Sequence, residues 1–205
     1  MKDILKLAFA LGVICLVGAG ALAAVKQGTQ EPIRKAETEA LSNTLRKVLP
    51  PNVEKTEQST IIRDVKFYRG LDVNGAVVAF AAEAKSTVNG FGGPTSVVAG
   101  LDTTGKILAV MVSAHTETPG LGTKATDRVA PKSFWDLVRG KIKENPFPPN
   151  AFLDAYAGKA APVELDRDVM HVTGATYSSK SVNSAVNAIL GNIGEFLAQE
   201  RAQRN

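Results

Sequence analysis

An uncharged apolar run near the N-terminus constrains this chain most strongly. No charged residue lies between Lys6 and Lys26, and the run "LAFALGVICLVGAGALAAV" occupies residues 7–25. A helix of about 20 apolar residues is long enough to cross the hydrocarbon core of a bilayer, so the run predicts one transmembrane helix. The alternative is a cleavable signal peptide ending near the small residues 21–23, but the run is longer than the ~7–15 residues of a usual signal core.

Both interpretations send the remainder of the chain out of the cytoplasm. We therefore expect a single-pass protein of the cell inner membrane, with its main domain on the extracytoplasmic side. Charge alone does not set this orientation, because basic residues lie on both sides of the run. They are Lys2 and Lys6 before it and Lys26, Arg34 and Lys35 after it.

The charge and cysteine content exclude several classes of protein. Lys and Arg total 24 against 20 Asp and Glu, a formal charge of +4 without a dense basic cluster, which argues against a nucleic-acid partner. The one cysteine, Cys15, lies inside the apolar run. The sequence therefore predicts neither a disulfide framework nor a thiolate metal cluster.

A helical pattern follows the apolar run. In residues 31–49 apolar side chains recur at helical spacing, Pro32 suits a first helical turn, and Pro50 ends the pattern. We interpret this helix as a stalk between membrane and domain. The predicted organisation is a transmembrane anchor (1–25), a juxtamembrane helical stalk (26–50) and an extracytoplasmic domain (51–205).

Four short segments beyond the stalk are typical of β-strands. The first two are joined through Asn74 and Gly75, a strong hairpin dipeptide, and the second two around "DTTGK". Close spacing of such strands indicates an antiparallel sheet. We therefore predict an α+β fold, in which an antiparallel sheet with packed helices follows one N-terminal transmembrane helix. The predicted strands are residues 65–71, 76–84, 96–101 and 107–114.

The C-terminal half is less regular. Residues 117–124, "ETPGLGTK", predict a shaped loop, because the proline lacks an amide proton and the glycines weaken a helix or a strand. A short helix is predicted at 133–139, and brief strands at 163–165 and 169–172. From Ser181 onward apolar residues recur at intervals of three and four and predict an amphipathic helix on the sheet. Its apolar positions are Val182, Val186, Ile189, Leu190, Ile193, Phe196 and Leu197.

A short motif, "TGAT" at residues 173–176, precedes that helix. Free amides and the positive end of the helix dipole favour a phosphate at such a place, and Gly174 and Ala175 allow close approach of a ligand. Lys180 adds a mobile positive charge. Thr173 and Thr176 are also ordinary helix-capping residues. The glycine-rich run at 90–94 lacks the lysine and following hydroxyl of a phosphate-binding loop and predicts a turn.

The sequence resembles a known family at two places. The "TGAT" motif is similar to the covalent flavin-attachment motif of the FMN-binding domain in the G subunit of Rnf electron-transport complexes and the C subunit of sodium-pumping quinone reductases. The stretch "HTETPGLG", residues 115–122, is similar to the second signature of these subunits. The resemblance implies that FMN is covalently attached through a phosphoester to Thr176. The family often has an acidic residue at the position of Met170, and here the nearest upstream acid is Asp168.

The resemblance also implies a site, with no catalytic residue and no metal. The phosphate would lie against residues 173–176 and Lys180, and the flavin ring in a flat slot of the upstream loop. In that slot Leu121 offers an apolar contact, and Glu117 orients the loop by accepting amide hydrogen bonds. The other implied contacts are Thr118, Gly120 and Gly122. His115 and His171 are either neighbours of the flavin or ordinary hydrogen-bonded histidines, since two histidines lack the further ligands of a metal centre.

The function implied is electron transfer within a larger complex. A chain of this kind carries FMN and relays electrons in an ion-translocating ferredoxin:NAD oxidoreductase of the Rnf type, and it is not catalytically complete alone. The implied partners are the other subunits of the complex, membrane lipid and a flavin transferase that loads FMN from FAD. The alternatives are a C-type subunit of a sodium-pumping NADH:quinone reductase, a cofactor-free extracytoplasmic binding or assembly module, and a secreted enzyme with Thr176 or Ser179 as nucleophile.

Overall fold

The computed structural model describes residues 2–129 and 147–204 of the chain. The chain divides into two compact units, residues 1–41 and residues 42–205. The helix predicted at 133–139 lies outside the described residues. In chain order the described elements are α1 (Lys2–Val48), β1 (Lys55–Ile62), β2 (Val65–Leu71), β3 (Val77–Lys85), β4 (Ser96–Leu101), β5 (Ile107–Ala114), α2 (Thr123–Thr126), α3 (Ala151–Asp154) and α4 (Thr176–Arg204).

The first unit consists of the N-terminal part of α1. This helix is, by length and composition, long and apolar enough to cross a membrane over Lys6–Val48. The prediction that a separate helix begins near residue 31 is wrong, because α1 is continuous and Pro32 lies inside it. An interior proline costs one backbone hydrogen bond and crowds the carbonyl four residues earlier. The carbonyl crowded by Pro32 is that of Gly28. A Cβ built on Gly28 would have no atom within 4 Å, so the surroundings of this residue are open.

The second unit is built on a five-stranded antiparallel sheet. The strand order is β1-β2-β3-β4-β5, so each strand pairs with its neighbours in sequence. The predicted α+β fold is confirmed. Strands β2, β4 and β5 have the predicted bounds, and β3, predicted at 76–84, is shifted by one residue. Strand β1 was not predicted, because it is an edge strand whose residues are mostly exposed or half-buried.

The last helix, α4, covers one face of the sheet and closes the core. Its Phe196 is fully buried. The ring of Phe196 stacks on Phe67 of β2 with centroids 4.3 Å apart and meets the ring of Phe80 of β3 edge-on at 5.0 Å. Such aromatic pairs stabilise a core beyond the area that they bury. The packing of α4 on the sheet therefore fixes where the N-terminal end of this helix lies.

The end of α1 also belongs to the second unit. Leu45, Val48 and Leu49 are buried, and a Cβ built on Gly100 of β4 would lie 2.0 Å from the Val48 carbonyl oxygen. Only glycine allows the helix end to lie this close to the sheet. Packing of the domain thus begins at residue 42, within the segment that the sequence analysis assigned to the stalk.

The segment before α4 differs from its prediction. In place of strands at 163–165 and 169–172 the structure has a single β-bridge between Leu165 and Val169. The Val163 backbone is held by side chains of α4 instead, since its amide donates to Asn187 Oδ1 at 2.7 Å. Helix α4 begins at Thr176, five residues before the apolar periodicity that predicted it.

Candidate functional site

The "TGAT" motif forms the turn that leads into α4. Gly174 adopts a left-handed conformation with φ of +80°, and the Ala175 amide donates to the Val172 carbonyl at 2.9 Å. The helix begins at the next residue, Thr176. Alanine has no side-chain oxygen to cap the helix, and the first-turn amides have no acceptor within the helix. This helix end can therefore bind an anion.

The hydroxyl groups around this turn fall into two sets. Ser178, Ser179 and Ser181 are buried and hydrogen-bonded: Ser178 Oγ to Glu117 Oε2 at 2.8 Å, Ser179 Oγ to the Ala175 carbonyl at 3.0 Å, and Ser181 Oγ to Ser86 Oγ at 2.9 Å. The bonds of Ser178 and Ser181 hold the helix on the domain, whereas that of Ser179 lies within the beginning of the helix. Ser179 is fully buried and hydrogen-bonded, which argues against the alternative in which it acts as a nucleophile.

Thr176 differs from these serines. It is half-buried, it lines a cavity, and its hydroxyl has no hydrogen-bond partner among the described residues. Thr173 is exposed and does not line the cavity. Of the two motif threonines, Thr176 is thus the one whose oxygen is available to a ligand held in the cavity.

The cavity joins the two signature segments. Its volume is about 140 Å³. Leu121 and Gly122 of the upstream loop face residues 174–178 across it, and Phe91 contributes from the β3–β4 connection. The cavity thus lies between two segments that were assigned to the site from the sequence and a third, the β3–β4 connection, that was not. Phe91 was missed because the glycines around it indicated only a turn.

Three large apolar side chains around the cavity are exposed. Phe91 is 78 % exposed, Tyr177 65 % and Leu121 55 %. The connection that carries Phe91 is held in place, since Thr116 Oγ1 donates to the Gly92 carbonyl at 2.6 Å. Apolar side chains grouped on a surface mark a binding site more often than single ones do. Their grouping beside an available hydroxyl indicates a ligand with an apolar part.

The loop at 117–122 is shaped by its own backbone. Gly120 has φ of +77°, the Leu121 amide donates to the Thr118 carbonyl at 3.2 Å, and the Gly120 amide donates to Thr123 Oγ1 at 2.8 Å. The predicted loop is interrupted at its end, because α2 already begins at Thr123. Thr118 and Gly120 are exposed and do not line the cavity, whereas Leu121 and Gly122 do.

Glu117 is the first residue of this loop, and its side chain is buried. It is 5 % exposed, and its Oε2 accepts the hydrogen bond from Ser178. The expected hydrogen bonds from backbone amides to its carboxylate are absent among the described residues, and Oε1 has no partner there. Glu117 thus holds the loop to α4 through a side-chain contact, which sequence spacing alone does not reveal.

Lys180 lies one helical turn after Thr176 and is exposed. Its Nζ is 5.9 Å from the centre of the Tyr177 ring, and Lys180 is not among the residues that line the cavity. Residues four apart share a helix face, and the lysine therefore places a positive charge on the face that also presents Thr176.

Each histidine near the site is paired with an aspartate. His115 Nε2 lies 2.7 Å from Asp127 Oδ1, and His171 Nδ1 is hydrogen-bonded to Asp166 Oδ1. Hydrogen bonds from His171 are the main cause that lowers the pKa of Asp166 below its usual value. Within residues 2–129 and 147–204, no cluster of three or more histidine, cysteine or carboxylate side chains could hold a metal ion.

The acidic residues upstream of the motif take different places. Met170 is exposed. Asp168 is engaged locally, because its Oδ2 accepts from the Glu164 amide at 2.9 Å. Asp166 reaches back toward the motif instead, and its Oδ1 accepts from the His171 amide at 3.2 Å. The carboxylate beside residue 171 is therefore that of Asp166, not that of Asp168.

The described residues fit a flavin mononucleotide in two respects. The uncapped helix end suits the phosphate, and the exposed apolar side chains suit a flat ring. The buried Oε1 of Glu117, which has no partner in the described parts of the chain, is the kind of exception that needs an explanation at a site. Taken by themselves, these features indicate an anionic ligand with an apolar ring system.

Comparison with known proteins identifies the family. The FMN-binding domain matches residues 90–191, and the RnfG N-terminal region matches residues 1–48. The chain is 34 % identical to the G subunit of the ion-translocating oxidoreductase complex of Shewanella baltica over 66 % of this chain and 68 % of that protein. It is 27 % identical to the G subunit of the Na(+)-translocating ferredoxin:NAD(+) oxidoreductase complex of Acetobacterium woodii over 91 % and 89 %.

Among solved structures, NqrC of Shewanella oneidensis is similar, with a TM-score of 0.46 and 18 % identity over 74 % of this chain and 72 % of that one. The matches in sequence cover the N-terminal helix and both signature segments. The chain belongs to the family of G subunits of ion-translocating oxidoreductase complexes and contains that family's FMN-binding domain.

Proposed function

We propose that this chain is the FMN-carrying electron-transfer subunit of an ion-translocating oxidoreductase complex, with the flavin esterified to Thr176. The FMN-binding domain and the relatives named as G subunits support the cofactor and the complex. The observation that carries the covalent link is the state of one hydroxyl. Thr176 borders the cavity and has no hydrogen-bond partner among the described residues.

The phosphate side of the site is formed by the beginning of α4. A phosphodiester keeps one negative charge, which the first-turn amides and the helix dipole stabilise. Gly174, with its positive φ, and the small Ala175 let the phosphate approach the backbone. Lys180 adds a charge on the same helix face, where solvent screens it.

The ring side is formed by the apolar side chains around the cavity. Leu121 lies on the loop, Tyr177 on α4 and Phe91 on the β3–β4 connection. At about 140 Å³ the cavity is smaller than the ~300–1,000 Å³ of pockets that enclose a drug-sized ligand. The covalent bond therefore retains a cofactor that the pocket alone would hold weakly. FMN bound there supplies one-electron and two-electron transfer chemistry.

Loading of the flavin requires a separate enzyme. A threonine hydroxyl is a weak nucleophile without an adjacent base, and the nearby carboxylate of Glu117 is engaged with Ser178. A flavin transferase would supply the base and the donor FAD. In that reaction the Thr176 oxygen forms a bond to the FMN phosphorus, the pyrophosphate bond of FAD breaks, AMP leaves, and the hydroxyl proton passes to the transferase.

The N-terminal helix anchors the subunit. Its apolar segment supports a single membrane span, with contacts to lipid and to other membrane subunits, and with the flavin domain on the extracytoplasmic side. The match to the RnfG N-terminal region favours an Rnf-type ferredoxin:NAD oxidoreductase over the quinone reductase. In such a complex the chain relays electrons and does not complete the reaction alone.

A gel experiment tests the covalent link. The full chain is produced with its flavin transferase, denatured, separated by electrophoresis and examined for flavin fluorescence. We expect fluorescence in the wild type and in T173A, because the exposed Thr173 is not the acceptor, and none in T176A. Folding of T176A is checked by circular dichroism.

Two results would contradict this proposal. A T176A chain that keeps its fluorescent band would place the flavin elsewhere. A wild-type chain without any flavin would favour the cofactor-free binding or assembly module, for which T176A changes stability little, because the Thr176 hydroxyl makes no hydrogen bond to the described residues.

A further inference from the structure

Glu117 is a buried carboxylate with few hydrogen-bond partners in the part of the chain that the structure describes. Its Oε2 accepts one hydrogen bond, from Ser178, and its Oε1 accepts none from the described residues. A buried carboxylate is unfavourable unless a cation or several donors compensate its charge. The cost of keeping it points to a role beyond packing.

No described cation neutralises this carboxylate. Lys180 is exposed. The buried guanidinium of Arg128 is paired with Asp154 at 2.7 Å, and the imidazole of His115 with Asp127. Among residues 2–129 and 147–204, the charge of Glu117 is therefore little compensated.

The surrounding backbone is fitted closely to the carboxylate. A Cβ on Gly90 would lie 1.9 Å from Glu117 Oε1, and a Cβ on Gly122 would lie 2.2 Å from Glu117 Oε2. A glutamine side chain has nearly the same shape, could still accept the hydrogen bond from Ser178, and carries no charge. What distinguishes glutamate at this position is thus its charge rather than its shape.

The carboxylate lies directly behind the wall of the cavity. Gly122 and Ser178 both line the cavity, and both contact the Glu117 side chain. We propose that Glu117 is a positioning residue of the flavin site and that the negative charge of its carboxylate lowers the midpoint potential of the bound FMN. An electron added to the ring without a proton adds negative charge, and a nearby buried anion opposes that addition. This inference rests on the proposed function, since it requires FMN in the cavity.

Redox titration of the loaded full chain in detergent tests the inference. The variants are E117Q, which removes the charge and keeps the shape, and E117D, which keeps the charge. E195Q is the matched control, because Glu195 lies on the same helix far from Thr176 and its side chain is 48 % exposed. We expect the midpoint potential, followed by flavin absorbance, to rise in E117Q, to stay closer to the wild type in E117D, and to be unchanged in E195Q.

The flavin content of each sample, measured on the denatured protein, separates the two proposals. A wild type without flavin would refute the proposed function and this inference together. A fully loaded E117Q chain whose potential equals that of the wild type, or is lower, would overturn this inference alone. If E117Q fails to fold although E117D folds, the carboxylate serves the fold, and this result would also overturn the inference.

Discussion

Replacing Gly122 by alanine would force a methyl group into the contact between the upstream loop and α4. The added Cβ would lie 2.2 Å from Glu117 Oε2, 2.8 Å from Glu117 Cβ and 2.8 Å from Ser178 Oγ. Glu117 Cβ is attached directly to the backbone, and Ser178 Oγ is held by its hydrogen bond to Glu117, so neither atom can move aside freely. The loop must therefore move away from the helix, or the hydrogen bond between Glu117 and Ser178 must break.

The expected cost follows from these two responses. Overpacking of a filled site costs typically ~1–3 kcal/mol, and a hydrogen bond to a charged group contributes about 1.5–3 kcal/mol where it is lost. Overpacking alone, at ~1–3 kcal/mol, predicts that the midpoint temperature of unfolding falls by about 2–12 °C for a chain of this size. Because Leu121 moves with Gly122, the G122A chain should also load less flavin.

Thermal unfolding of the unloaded full chain, followed by circular dichroism, measures this effect. G191A is the matched control, since Gly191 lies within α4 and has no atoms within 4 Å of a built Cβ. An alanine in a helix is favoured over glycine by ~1 kcal/mol, so G191A should melt at or above the wild-type temperature. A G122A chain that is as stable as the wild type and takes up the same amount of flavin would refute the packing argument.

Three further predictions concern the fold around the site. F196A should lower the free energy of unfolding by ~3–5 kcal/mol, measured by urea denaturation, because it removes the ring stacked on Phe67. The hydrogen bond with His171 is the main cause that lowers the pKa of Asp166. Asp166 therefore stabilises the fold at pH values above its ordinary pKa, and this contribution is lost as the pH falls through the lowered pKa. Carbon NMR should show a higher pKa of Asp166 in H171Q. N150A should cost ~1–2 kcal/mol, measured by thermal melting, since Asn150 caps α3.

The sheet could be predicted largely from sequence because its central strands are short apolar segments separated by turns. The hairpin glycines Gly75 and Gly105 do adopt positive φ, at +79° and +90°. Strand β1 could not be predicted in this way, since an edge strand that is mostly in contact with solvent has no apolar alternation. Its place is fixed by tertiary contacts, such as the hydrogen bond from Ser59 to the buried Glu200 of α4.

The sequence indicated which segments could form the candidate site but not how they pack. Similarity to known motifs brought Thr176 and the loop at 117–122 together, and the cavity joins these segments. The start of α4 was placed too late because its first turns bury serine hydroxyls instead of apolar side chains, and Ser178 finds its partner 61 positions away in Glu117. The contribution of Phe91 likewise depends on a long-range approach that has no local pattern.

The proposed covalent link requires that one oxygen atom, Oγ1 of Thr176, carries the flavin. Mass spectrometry of peptides from the full chain, produced together with its flavin transferase, tests this claim most directly. We expect the peptide containing residue 176 to be heavier by FMN less one water, with fragmentation placing the added mass on Thr176. An unmodified peptide, or the added mass on Thr173 or Tyr177, would contradict it.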